Sequence, residues 1–172
     1  MEAYLLVDGY NIIFAWDDLA AIAERSLEDA RHRLIEILSD YQGSTGQNVI
    51  AVFDAHNVKD GAGSIEKHGN IHAVYTKEAE TADNYIERVA EKLSRDYNVR
   101  VATSDGLVQM IILTKGAVRI SAREFLGEVR LQKKLVRERM LRDRPVKRNM
   151  LMDNLDEKTN EILEKMRRNT DI

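Results

Sequence analysis

Four short runs, Tyr4–Val7, Val49–Phe53, Ile71–Tyr75 and Val99–Thr103, punctuate the first two-thirds of the chain, and mostly helix-forming segments separate them. This alternation constrains the fold more than any other feature of the sequence. Val49–Phe53 is a continuous apolar run of β-branched character, as a strand covered on both faces requires. Ser26-Leu27-Glu28-Asp29 has the form of a capped helix start, and Leu27, Ala30, Leu34, Ile37, Leu38 and Tyr41 keep a helical period, so a helix is expected over about 26–42. Ile86, Val89, Ala90 and Leu93 predict a second helix, with Thr81 as its cap, and Leu107–Leu113 suits a short buried one. Ala117–Ile120 reads as a fifth strand at an edge. Strands that alternate with helices imply an α/β fold: a mostly parallel sheet of four to five strands with helices on both faces. Asn11–Trp16 reads as structured loop or a first helical turn. Ala55–Asn70, poor in apolar residues and holding Gly61, Gly63 and Gly69, reads as a long mobile loop.

With 172 residues, one domain over 1–172 is expected, in which 121–172 form a C-terminal helical extension packed on the rest. In that extension Ser121-Ala122-Arg123-Glu124 resembles a capping box, Pro145 breaks the helix that follows, and Leu155–Arg168 reads as a last amphipathic helix. No segment approaches the roughly 18 consecutive apolar residues of a membrane span. A secretory signal is not evident at the N-terminus, and the lack of cysteine rules out disulfides and thiolate metal sites. The expectation is a cytoplasmic protein without membrane partners.

A net charge of −3 hides a division. Residues 1–118 carry 11 Lys+Arg against 19 Asp+Glu, a net of −8. Residues 119–148 carry 11 against 4, a net of +7, and residues 149–172 carry 4 against 6, a net of −2. A basic block on an acidic chain is the footprint of a polyanion partner, although a solvated helix face has the same composition.

Three of the four main strands stop at an aspartate: Asp8, Asp54 and Asp105. Singly, each suits a helix cap or a turn. In a parallel sheet all strand C-termini share one edge, where open α/β sheets hold their ligands. Glu80 and Asp83, three residues apart at the start of the helix after strand three, belong to the same edge. Acids gathered there repel one another and call for a counter-ion. Mg²⁺, a hard cation that takes carboxylate oxygens and keeps waters, answers that need, and the set suits metal-assisted hydrolysis of a phosphodiester.

Other chemistries lack their residues. There is no Gly-x-x-x-x-Gly-Lys-Ser/Thr, and strand one runs into Asp8-Gly9-Tyr10-Asn11 rather than Gly-x-Gly-x-x-Gly. An aspartyl-phosphate enzyme would need an acid where Tyr10 stands. Of the four histidines, His32 falls in a predicted helix and His72 in a strand; His56, two residues after Asp54, reads as a loop histidine with no role or, failing that, as the one to touch a substrate. Tyr10 and Trp16 are the aromatic residues near the site, with Trp16 read as core.

Leu5-Leu6-Val7-Asp8-Gly9-Tyr10-Asn11, Val52-Phe53-Asp54-Ala55, Glu80-Thr81-Ala82-Asp83 and Thr103-Ser104-Asp105 together resemble the NYN-domain nucleases of the PIN-like superfamily, and more narrowly the bacterial YacP type. The likeness covers nearly the whole chain, including Ser121-Ala122-Arg123-Glu124. It implies a three-layer α/β/α domain with basic C-terminal helices, and a Mg²⁺- or Mn²⁺-dependent endoribonuclease. For the YacP type it further implies association with ribosomes and cleavage of mRNA during translation. It makes Asp8, Asp83 and Asp105 metal-site acids, gives Asp54 and Glu80 supporting parts, and has Asn11 orient a phosphate or a carboxylate. It also recasts Arg123, Arg130, Lys133, Lys134 and Arg137 as contacts to an RNA backbone, which position a nucleic acid without reading its sequence. From the residues alone, an RNA-binding protein with weak or no catalysis and a nuclease acting on DNA remain open beside this reading.

Overall fold

The computed structural model describes residues 2–54, 63–77, 79–106 and 116–142. The chain falls into two units, Met1–Arg137 and Glu138–Ile172. The expected helices at 107–113 and 155–168, the break at Pro145 and His56 lie outside the described residues.

Strand β1 (Ala3–Asp8) is followed by helices α1 (Gly9–Ala15), α2 (Asp17–Ala23) and α3 (Leu27–Thr45). Strands β2 (Asn48–Phe53), β3 (Ser64–His68) and β4 (Ile71–Tyr75) come next, then α4 (Ala82–Leu93), β5 (Asn98–Ala102), β6 (Val118–Ile120) and α5 (Ala122–Arg142). They form one six-stranded sheet in the order β3-β4-β2-β1-β5-β6. All neighbours are parallel except β3 and β4. The central place of β1 follows from its sequence. It is fully apolar up to Asp8, and both its neighbours and both its faces are covered.

Side chains alternate across a strand, and along β1 this divides the core in two. Leu5 and Val7 join Ile12, Ile13, Leu34, Leu38, Phe53 and Phe125 on the side of α1, α2, α3 and the start of α5. Leu6 joins Ile86, Ala90, Val99 and Val101 on the side of α4. The result is the three-layer arrangement expected.

The sheet has one strand more than expected. Strand β3 lies where a loop was anticipated, because it has no apolar run: Ser64 to Lys67 are exposed on both faces. Backbone pairing to β4 holds it, from Ser64 opposite Tyr75 to His68 opposite Ile71, across the two-residue turn Gly69-Asn70. Gly69 takes the left-handed conformation (φ 59) that so tight a hairpin demands. The Asn70 side chain fastens the turn to α3, accepting from Ser39 Oγ at 2.6 Å.

Helix α1 stands where the sequence predicts only a structured loop or a first helical turn, and α2 follows it. Each has seven residues, too few turns to establish a period, and they meet at the buried Trp16. Helix α3 runs three residues beyond the expected 42, to Thr45, and ends at Gly46, whose left-handed φ of 71 closes it. Helix α5 begins with the expected capping box: Ser121 N–H donates to Glu124 Oε2 (2.8 Å) and Glu124 N–H to Ser121 Oγ (3.2 Å). Among the described residues no helix is long and apolar enough to cross a membrane.

Candidate metal-binding carboxylate crevice

Asp8 is 8 % exposed at the C-terminal tip of the central strand, and it serves as a cap as well as a candidate ligand. Its Oδ1 accepts from the Asn11 N–H at 3.4 Å and its Oδ2 from the Thr103 hydroxyl at 3.4 Å. Both contacts are long, so neither oxygen is saturated. Glycine at position 9 is not required by backbone conformation. A Cβ there would run into the ring of Phe53, so the residue lets the first turn of α1 sit against β2.

Parallel pairing of β2 and β5 with β1 brings the other strand ends to the same edge. Asp54 follows β2, and its Oδ2 accepts from the Ala82 N–H at 3.4 Å, which supplements the Thr81 cap on α4. That cap sets Asp83 in the first helical turn, facing Asp54 and Asp105.

Thr103, Ser104 and Asp105 form the third wall, and each of their backbone N–H groups has a partner. Thr103 N–H reaches Ile120 O (3.1 Å), Ser104 N–H reaches Asn11 Oδ1 (2.7 Å), and Asp105 N–H reaches Thr103 Oγ1 (3.1 Å). Thr103, fully buried, therefore links Asp8 to Asp105 through one hydroxyl. Thr103 and Ser104 are site residues beyond those expected from the sequence. Their hydroxyls between a strand and its terminal acid were the available signal.

The electrostatics follow from this packing. Burial pushes the Asp8 carboxyl up to about 6; the Asn11 and Thr103 hydrogen bonds oppose that rise, and the charges of Asp83 and Asp105 add to it. Asp83 is also raised, first by burial and then by Asp105 and Asp54. The charges acting on these two acids are negative, so a crevice of this kind gains from a cation.

A donor set of hard carboxylate oxygens, with no sulfur, fits Mg²⁺ or Mn²⁺. Among the described residues no three His, Asp or Glu side chains stand closed around one point. Mg²⁺ does not require such a cage, since it is held by one or two carboxylates with retained waters.

Other expected site residues have other surroundings. Glu80 accepts from Arg88 Nη2 at 2.7 Å and from its Nε at 3.1 Å. Asn11 spends its side-chain oxygen on Ser104 N–H, which ties α1 to the loop after β5 rather than leaving that oxygen for a ligand. Tyr10 and Trp16 are buried: the Tyr10 hydroxyl accepts from Arg31 (2.9 Å) and the Trp16 indole donates to Ala122 O (2.8 Å). Neither is a stacking platform. His68 pairs with Glu66 at 3.0 Å.

On α5, Arg123, Arg130, Lys133, Lys134 and Arg137 are all exposed. Spacings of seven, four and three put Arg123, Arg130, Lys134 and Arg137 on one stripe, about 21 Å long at helical rise. Glu128 binds the helix to the sheet, accepting from Arg100 at 2.6 Å and from the Tyr41 hydroxyl at 2.9 Å.

Comparison with known proteins gives a consistent picture. The model of the YacP-like NYN domain matches residues 5–168. Protein YacP of Bacillus subtilis (strain 168) is 44% identical over 137 residues, which cover 79% of this chain and 80% of that protein. Two crystal structures of Rae1 (YacP) from Bacillus subtilis superpose with a TM-score of 0.71. One is 40% identical, with 96% of this chain and 94% of the other covered. The second, a point mutant, is 35% identical and covers 96% and 99%.

Proposed function

Because the chain belongs to the YacP-like NYN domain family, a nuclease-type fold, we propose that it is a metal-dependent endoribonuclease that hydrolyses phosphodiester bonds of RNA. The single observation that carries this reading is the meeting at one sheet edge of the buried Asp8 and the half-buried Asp83, both raised by burial and by neighbouring acids. Of Asp8, Asp83 and Asp105, one or two would hold Mg²⁺ or Mn²⁺ directly and the rest through retained waters, with Asp54 bracing the helix that carries Asp83. Once bound, such an ion activates water and steadies the charge on the scissile phosphate.

The chain's own residues do the rest. Thr103 and the Asn11 N–H hold the Asp8 carboxylate in place. The exposed stripe on α5 attracts the phosphate backbone, a salt-sensitive contribution without sequence preference. At the start of α5 the N–H groups of Ser121, Ala122 and Glu124 donate to Glu124, Ser104 and Ser121, so the positive stripe is the anchor for phosphate.

The substrate we assign is mRNA on translating ribosomes, the Mg²⁺- or Mn²⁺-dependent reaction is cytoplasmic, and residues 1–172 act as one domain with 121–172 as its basic extension. Incubation of an end-labelled RNA oligomer with Mn²⁺ tests the hydrolytic reading, with a matched DNA oligomer in parallel. RNA cleavage that stops in EDTA and in Asp83→Asn is the expected result. Cleavage that survives either would sink the metal mechanism, and preferential DNA cleavage would replace the substrate. Toeprinting on translating and ribosome-free mRNA checks the ribosomal part.

A second reading, an RNA- or ribosome-binding protein without catalysis, draws on the lack of a closed ligand set among the described residues. Calorimetric titration separates the two: no Mn²⁺ binding at millimolar metal favours the second.

A further inference from the structure

Ser104 is a junction between three elements, although it bears no charge and faces solvent. Its N–H donates to Asn11 Oδ1 at 2.7 Å, which fixes it to α1. Its hydroxyl accepts from the Ala122 N–H at 3.2 Å, which fixes it to the first residue of α5. Ala122 is held at its other end too, its carbonyl accepting from the Trp16 indole at 2.8 Å. One residue on either side, Thr103 reaches Asp8 and Asp105 bears its carboxylate. The start of the basic helix and the wall of the acidic crevice therefore share one serine.

We propose that Ser104 is a positioning residue for the hydrolytic reaction: its hydroxyl locks the Asp105 loop to the start of α5, so that the carboxylates and the basic stripe keep a fixed relation. The inference rests on the nuclease reading given above. The alternative for the Ala122 N–H is water, which satisfies the donor but fixes nothing. Rigid support matters here because a site that loosens by about 1 Å loses up to roughly a hundredfold in rate. Ser104 touches neither metal nor phosphate in this scheme, so the loss falls on turnover and leaves substrate affinity, which the stripe supplies, unchanged.

The test compares Ser104→Ala and Ser104→Thr with the unmodified chain and with Asp83→Asn. Ser104→Ala removes the hydroxyl and keeps the backbone bond to Asn11, while Ser104→Thr keeps both. The expected result is a kcat about tenfold lower for Ser104→Ala with KM unchanged, and recovery to within about twofold in Ser104→Thr. A measurement independent of activity accompanies it: Mn²⁺ titration without RNA should show about threefold weaker binding for Ser104→Ala, and faster amide exchange at Ala122. Wild-type kcat and Mn²⁺ affinity in Ser104→Ala, with Asp83→Asn inactive, overturn the role of Ser104 and leave the nuclease reading standing. An unmodified chain that cleaves nothing, or an Asp83→Asn variant as active as it, overturns the nuclease reading and the role of Ser104 with it. A thermal melt of each variant separates these outcomes from unfolding.

Discussion

Asp8 and Glu128 are both carboxylates drawn partly out of water, and the fold treats them in opposite ways. Burial alone would raise Glu128, but hydrogen bonds from Arg100 and Tyr41 outweigh it and hold the group below the usual carboxylate range. Arg100 gains in turn, its guanidinium raised chiefly by that bond. Asp8 receives only two long contacts from neutral donors and faces the charges of Asp83 and Asp105, and it rises to about 6. A structural ion pair settles its charge inside the fold. The crevice leaves a charge unsettled, and an acid kept in that state costs stability unless something from outside neutralises it.

The largest effect expected from this contrast is catalytic. Asp83→Asn should lower RNA cleavage at least about 10³-fold, some 4 kcal/mol of barrier, with an unchanged far-ultraviolet spectrum. Gel-based initial rates measure it. A loss under tenfold would place Asp83 among the structural acids and break the comparison at its centre.

The next effect is on stability and runs the other way. Asp8 takes up its proton more readily in the native state, near pH 6, than in the unfolded chain, near its ordinary 3.8. Its contribution is therefore fully favourable below about pH 4 and is lost as pH rises through 6. In metal-free buffer at pH 7, Asp8→Asn should stabilise the fold by up to about 3 kcal/mol. Asparagine caps as well as aspartate and still accepts from the Asn11 N–H. Urea melts at pH 4 and pH 7 check it: the native chain should lose stability over that range more steeply than the variant. Millimolar Mn²⁺ should raise the native chain and not the variant. Equal pH slopes in the two proteins would mean that Asp8 carries no strain.

At Glu128 the sign reverses again. Glu128→Ala leaves Arg100 and the Tyr41 hydroxyl without their shared acceptor. The pair is partly solvated, with side chains 28% and 38% exposed, so screening reduces its worth and the expected loss is about 1–2 kcal/mol. A double-mutant cycle with Arg100→Ala isolates the coupling. Coupling near zero would show that α5 is held by Phe125 and its apolar neighbours alone.

How far the sequence reveals these two kinds of acid depends on what each one needs. The strand-end aspartates were legible because a strand buried on both faces must be an unbroken apolar run, and the acid that ends it stands out. Their meeting followed from parallel topology alone. The Glu128 bridge joins α5 to β5 and α3, and no local pattern announces a partner 28 residues away. Asn11 and Ser104 are 93 residues apart, and their bond depends on a side-chain orientation that only the packed fold decides. Strand β3 escaped for the converse reason: it pairs by backbone and buries almost nothing, so its residues carry no periodic signal.

Glu80 is the acid on which the contrast can be sharpened most, because the sequence groups it with Asp83 and the structure groups it with Glu128. It is three residues from Asp83, the spacing that suggested a shared site, yet its side chain turns back along α4 to Arg88. Arg88 also lies over the ring of Tyr85, 5.0 Å from its centroid, so the guanidinium has a fixed seat beside the carboxylate. An acid already neutralised at 2.7 Å gains little from a cation in the crevice. Glu80→Gln should therefore leave cleavage within about threefold of the native rate, far from the thousandfold expected of Asp83→Asn. Since Arg88 is 53% exposed, its stability cost should stay below about 0.5 kcal/mol. The measurement is the same initial-rate assay at saturating and limiting Mn²⁺. A large loss at limiting metal that disappears at saturating metal would show that Glu80 leaves Arg88 to join the ion, and the division between settled and unsettled acids would then have to be drawn with metal bound.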